Sequence, residues 1–267
     1  MIHETAIIDK SAKIADSVSI GPWCIIGPSV VINEQTKIDS HVTIKQNTTI
    51  GKNNRIHAYA SIGDDPQHTG YKSEPVFLEI GDDNIIREFC TLNRGSPDGK
   101  GVTSIGSHNF FMAYSHVAHD CKVGDHIIFA NNASIAGHVH IANHVTLSAF
   151  TGIHQFCHIG AYSFLGRSCK VTQDIPPFLM AIGNPAKPFG LNAVGLQRHR
   201  FSSDAISNIK RAYRILYRSG YKLDEAVNHL EKETKSGPEV QQLIEFINNS
   251  NRSVARPKFN NNFNDAE

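Results

Sequence analysis

Ile2, Ile8, Ile14, Ile20, Ile26, Ile32, Ile38, Ile44, Ile50, Ile56 and Ile62 recur at every sixth residue without a gap. With the isoleucine counted first, the fifth place of each hexad is small or apolar, as in Ala6, Ala12, Val18, Cys24 and Val30. The frame resumes at Ile80, Ile86 and Leu92 and slips by one residue between Asn93 and Ser104. It then runs from Ile105 through Phe111, Val117, Val123, Phe129, Ile135, Ile141, Leu147, Ile153, Ile159, Leu165 and Val171. A helix cannot use this spacing, because its apolar face returns about every 3.6 residues. A short strand followed by a turn can. The aliphatic points inward, the small residue fills the space beside it, and Gly, Asn and Asp serve the turn. One hexad cannot bury its apolar face alone, so copies must stack into a solenoid.

This pattern resembles the hexapeptide-repeat transferases. The resemblance implies a mainly β fold, a left-handed parallel β-helix. It would be a prism of three flat sheets with three hexads to a coil, assembled as a homotrimer. The left hand departs from the usual right-handed crossover and rests on the resemblance alone. All five cysteines, Cys24, Cys90, Cys121, Cys157 and Cys169, fall at the fifth place of a hexad. Burial as small apolar residues accounts for them, which argues against disulfides or a metal and fits a reducing cytoplasm.

Two polar stretches interrupt the repeat. Residues 63–73 (GDDPQHTGYKS) are rich in turn-formers, and His68 and Glu74 stand where aliphatics belong, so this is a loop leaving the prism. A second loop follows Arg94 (GSPDGKGVTS). Long loops on a rigid scaffold often carry binding. The prism should end near Gln173, and a segment with four prolines reads as an extended connector. We divide the chain into a β-helical domain (1–186), a helical domain (187–250) and a tail (251–267) expected to be disordered. The helical domain holds one helix in 202–220, with a Ser/Asp cap and Gly220 as its stop, and two more in 223–237 and 238–250.

With 26 Lys and Arg against 25 Asp and Glu, the charge makes no case for a nucleic-acid partner. No apolar run approaches the roughly 20 residues that span a bilayer, and the first ten residues lack the hydrophobic segment of a secretory signal. The expectation is a cytoplasmic protein without stable membrane insertion.

The chain has 15 histidines. On coils of eighteen residues, His119, His138 and His154 fall near one corner of successive coils, Asp120 stacks beneath His138, and His116 shares the coil of His119. A histidine can take a proton from a hydroxyl and return it, and a carboxylate can fix its tautomer. Spacing alone does not single this cluster out, since His108, His126 and His144 form a second stack.

The segments SHVAHDC (115–121), NNASIAGHV (131–139), HQFCHIG (154–160), QDIPPF (173–178) and GNPAKPFGLNAVGLQRHRFS (183–202) do single it out. Together they resemble the UDP-N-acetylglucosamine O-acyltransferase family of lipid A synthesis, over about residues 2 to 250. The resemblance implies His119 as general base on the sugar 3-hydroxyl, Asp120 as its orienting partner and the Gly137 amide as oxyanion donor. It implies His116, His138, His154, Gln67 and Gln155 as substrate contacts, and Asn192 and Arg198 as contacts to the uridine diphosphate. The donor would be a 3-hydroxyacyl chain on acyl carrier protein, an acidic partner. Arg198, Arg200, Lys210, Arg211, Arg214 and Arg218 give the C-terminal part a basic bias that fits it, though a solvated helix face has the same composition. No cofactor or metal is implied, because a thioester is already activated.

Three positions depart from the family pattern. His68-Thr69-Gly70 replace an Asp-Leu-Lys triplet, with Lys72 as a substitute cation; Val194 stands in place of a glutamate; Arg167 occupies the acyl-length ruler. The rival readings are an acyltransferase acting on a 3-amino sugar, the pathway's N-acyltransferase, a coenzyme A-dependent acetyltransferase, a zinc hydratase on the same prism and a non-catalytic trimeric scaffold. The N-acyltransferase would carry an extra N-terminal domain, whereas this repeat begins at Ile2.

Overall fold

The computed structural model describes residues 1–232 and 237–256. Most hexads become two-residue strands such as Ser134–Ile135, with the aliphatic buried and its predecessor facing out. Burying each such side chain contributes about 1.5–3 kcal/mol relative to leaving it exposed. Strands pair in parallel with those a coil away, so Ile26 lies on Ile44 and Ile135 on Ile153. Three sheets result, of nine, eight and ten strands among the described residues. The first runs from Ile7–Ile8 to Lys170–Val171 and the second from Lys13–Ile14 to His158–Ile159. The third begins at Ser19–Ile20. The coil is left-handed. The five cysteines are free and buried.

Among the described residues, twenty-four non-glycine residues have positive φ, most of them at the prism corners. That region costs L-residues about 1–2 kcal/mol each. The corners recover it by bonding to the coil below: His138 N–H donates to His119 O at 3.0 Å and Phe156 N–H to Gly137 O at 3.1 Å. Corner rings also stack, as His138 does on Phe156 at 4.5 Å.

Both loops leave at one corner, between the first and second sheets. Ile62 pairs with Leu92 and Ile50 with Ile80, thirty residues apart where a plain coil has eighteen. Leu92 pairs with Val117 and Ile80 with Ile105, twenty-five apart. His119 and Asp120 turn the next coil at that same corner, between strands His116–Val117 and Lys122–Val123.

The proline-rich connector is more ordered than its sequence suggests. Leu179–Ile182 adds to the third sheet beside Phe164–Leu165, and Lys187–Leu191 returns antiparallel. Buried Phe178, Leu179 and Ala181 hold it there. Four helices follow among the described residues: α1 (Ala193–Arg198), α2 (Ser203–Arg218), α3 (Leu223–Lys232) and α4 (Pro238–Asn248). The Ser202 hydroxyl caps α2, and Gly220 takes positive φ just past its end. Ala212, Leu216, Leu230, Leu243 and Ile247 join the buried core. Residues 251–256, assigned to the tail in the sequence, pack on the prism. Asp174 pairs with Val254, and Val254 and Ala255 are buried, so apolar contact docks this stretch. Residues 257–267 lie outside the described residues. No described helix is long and apolar enough to cross a membrane.

Candidate active site

His119 Nδ1 lies 2.8 Å from Asp120 Oδ2. Asp120 sits in a corner at φ 59°, and its N–H donates to Thr103 Oγ1 at 2.8 Å. The second loop folds onto its carboxylate. Ser96 donates to Oδ2 from N–H (3.0 Å) and Oγ (2.6 Å), and Lys100 N–H donates to Oδ1 at 3.0 Å. Burial alone would raise the Asp120 carboxyl, but the bonds from His119 and Ser96 and the nearby His138 hold it at about 2. It is therefore an anion at neutral pH.

That carboxylate selects the His119 tautomer. With Nδ1 donating to Asp120, Nε2 is left as the acceptor of a proton. Atoms of His119, Asp120 and His138 also lie within 4.8 Å of one another, a spacing open to a metal ion. Both Asp120 oxygens already accept hydrogen bonds from Ser96, Lys100 and His119, so the carboxylate suits an orienting role better than a ligating one.

A groove of about 520 Å³ runs from His119 along the outside of the first sheet. It is lined by Gln67, His116, Gly137, His154 and Gln155, and it reaches Gly152 and Lys170, two and three coils further on. Six of the residues singled out in the sequence thus meet in one place. His116 Nδ1 lies 2.7 Å from Thr91 Oγ1, and burial, then His119, lowers its pKa. Gly137 has no room for a side chain: a Cβ there would lie 2.6 Å from His119 Cε1 and 2.8 Å from Nε2. Its N–H bonds to no described residue. Backbone and imidazole are therefore in contact across the groove.

His138 stands just outside the groove, its ring 5.2 Å from that of His119 and its Nε2 3.9 Å from Asp120 Oδ2. Burial is the main cause of its lowered pKa. His68, the first of the departures, brings its ring within 5.5 Å of His119. Gly70 makes this fit, since a Cβ there would sit 3.0 Å from the His68 ring.

Besides His138 and the buried Asp120, three of the residues singled out lie away from this chain's groove. Asn192 caps α1, accepting from Gly195 N–H at 3.1 Å and donating to Tyr162 O at 2.9 Å. Arg198 is exposed in the last turn of that helix. Arg167 lies over the Phe150 ring at 5.8 Å, on the corner between the third and first sheets. The second histidine stack is real, with rings of His108, His126 and His144 spaced 4.8 and 4.7 Å. It supports α1, whose neighbour His199 packs 4.6 Å from His144.

Residues 174–255 match the family model for domain 2 of UDP-N-acetylglucosamine O-acyltransferase, and residues 1–34 and 103–137 match the bacterial transferase hexapeptide repeat. The acyl-[acyl-carrier-protein]--UDP-N-acetylglucosamine O-acyltransferase of Thiobacillus denitrificans is 55% identical over 255 residues, covering 96% of this chain and 99% of that protein. The enzyme of that name from Halorhodospira halophila is 51% identical, with the same coverage. The UDP-N-acetylglucosamine O-acyltransferase structure from Moraxella catarrhalis superposes with a TM-score of 0.94 at 49% identity, covering 96% of this chain and 99% of that one. The Francisella novicida UDP-N-acetylglucosamine acyltransferase gives 0.94 at 43%, covering 97% and 95%. With relatives this similar along nearly its whole length, the chain belongs to the UDP-N-acetylglucosamine O-acyltransferase family.

Proposed function

We propose that this chain transfers a 3-hydroxyacyl group from acyl carrier protein to the 3-hydroxyl of UDP-N-acetylglucosamine, the first step of lipid A synthesis. The observation that carries the reading is the His119 and Asp120 pair, with the Gly137 backbone against its imidazole in one groove. His119 Nε2 takes the proton from the sugar hydroxyl as its oxygen attacks the thioester carbonyl. Asp120 stabilises the imidazolium that forms. The Gly137 N–H, which has no partner among the described residues, faces the task of binding the oxyanion. Collapse breaks the carbon–sulfur bond, and His119 returns its proton to the leaving thiolate. The thioester supplies the activation, so the scheme uses no cofactor and no covalent enzyme intermediate.

His116, His138, His154, Gln67 and Gln155 position the two substrates. Asn192 and Arg198 meet the uridine diphosphate, a guanidinium suiting phosphate. Both lie away from this chain's groove, which fits a homotrimer whose sites form between neighbouring subunits. Arg167 serves as the acyl-length ruler from the adjoining corner. A carrier-protein donor and five free cysteines fit a cytoplasmic enzyme.

The test is acyl transfer with carrier-protein donors of several lengths, offering UDP-N-acetylglucosamine and its 3-amino analogue as acceptors. Ester formation on the 3-hydroxyl is expected, falling by about 10²–10⁴ in His119→Ala with the fold unchanged. Absence of transfer by the parent protein, or near-normal turnover by His119→Ala, overturns the proposal.

A further inference from the structure

Arg94 is 1% exposed and is among the largest fully buried side chains of the molecule. Burying a guanidinium costs several kcal/mol unless it is paired, and the other largest fully buried side chains are all Phe, Ile or Leu. Its partner is the Asp65 carboxylate, while its Nε and Nη1 are buried without a partner. A cation kept under these terms has a positional role.

That position is the junction of the two loops. Arg94 follows strand Thr91–Asn93, where the second loop leaves the prism. Asp65 follows strand Ser61–Asp64, where the first loop leaves. Besides the ion pair, Arg94 N–H donates to Asp64 O at 3.1 Å and the Asn93 side-chain amide donates to Asp65 O. Two residues beyond Asp65 is Gln67, which lines the groove, and next to it His68 packs on His119. Two residues beyond Arg94 is Ser96, whose N–H and hydroxyl hold Asp120. The ion pair therefore stands between two arms that converge on the same imidazole.

Resting on the acyl-transfer reading above, we propose that Arg94 is a positioning residue acting through Asp65. It sets the first loop so that Gln67 and His68 meet the acceptor sugar, and so governs acceptor affinity more than the chemical step. The second arm stays anchored on Asp120 without the ion pair, because its three bonds there do not involve Asp65. The Asp65 side chain is 59% exposed, so water reaches the guanidinium when the carboxylate is removed.

The experiment uses the full chain carrying Asp65→Ala, and separately Arg94→Lys, which keeps the charge but loses the fork. Affinity for UDP-N-acetylglucosamine is read by calorimetry, and KM and kcat by acyl transfer. Both variants are expected to weaken acceptor binding about tenfold. The donor KM should stay put and kcat should remain within about twofold. Combining Asp65→Ala with Gln67→Ala should give less than the product of the single effects, because both act through one contact. A lower melting temperature with unchanged acceptor affinity overturns the proposal, as does a fully multiplicative double variant. A loss confined to kcat also overturns it. Because affinity is read without turnover, failure of the parent protein to transfer acyl groups counts against the proposed function and leaves this test standing.

Discussion

Gly137→Ala separates the two roles that meet in the groove. The added methyl would sit 2.6 Å from His119 Cε1 and 2.8 Å from Nε2, against ordinary contacts nearer 3.4–4 Å. Gly137 does not have positive φ, so alanine brings no backbone strain. It also leaves the amide N–H in place. The ring must therefore retreat by about 1 Å, and misplacement on that scale costs about 10²-fold in rate. Retreat also strains the 2.8 Å bond to Asp120, which sets the tautomer. The expected result is a kcat about 10²-fold lower, with the melting temperature close to that of the parent. Single-turnover acyl transfer at saturating substrates, paired with thermal denaturation, reads both. Turnover within about threefold of the parent refutes the placement of His119 against Gly137, and with it the argument that glycine is required there.

Arg198→Ala should weaken UDP-N-acetylglucosamine binding about tenfold or more, the scale of a charge-assisted bond of about 1.5–3 kcal/mol; unchanged calorimetric affinity places the nucleotide elsewhere. Burial lowers the His140 pKa from 6.5 to about 4 and pushes His116, His138 and His144 down as well. A folded state that binds protons less readily than the unfolded chain is favoured as pH rises. This contribution is complete above pH about 6.5 and fades as pH falls toward about 4, about 2–3 kcal/mol from His140 alone. The melting temperature should fall across that window and fall less in His140→Gln; a melting temperature flat from pH 7 to about 4.5 contradicts it. Arg167→Gly should shift donor preference to longer 3-hydroxyacyl chains in a competition assay, and an identical length profile removes Arg167 from the mechanism.

What sequence alone conveys here is whatever repeats. The in-phase aliphatics determine which residues face inward, and once the coil length is known they determine which residues stack. His119 and His138, nineteen residues apart, do meet ring to ring, and Asp120 does lie beside His138. Stacking says nothing of purpose, and His108, His126 and His144 stack just as regularly beneath α1. The family motifs, not the period, separate the two sets. The loops have no period, so nothing in their spacing announced that Ser96 and Lys100 bind Asp120, that His68 packs on His119, or that Arg94 is buried against Asp65. Asn192 shows the reverse case. Its match to a family contact hid a local signal, an asparagine three residues before Gly195 at a helix start, which is how it caps α1.

The corner explains why these unpredicted contacts gather at one imidazole. A coil of plain hexads exposes its corners to solvent, where a histidine and an aspartate form at most a weak, hydrated pair. Both loops leave the prism between the first and second sheets, one and two coils before His119. They have little choice but to fold over the next turn at that edge. One supplies donors to Asp120 and the other sets Gln67 and His68 beside His119. The carboxylate side chain becomes fully buried while His119 keeps 13% of its side chain accessible, toward the groove. Burial strengthens their hydrogen bond, and the donors keep Asp120 ionised despite it. The repeat supplies the alignment of His119, and the two interruptions of the repeat supply the environment that the proposed general base requires.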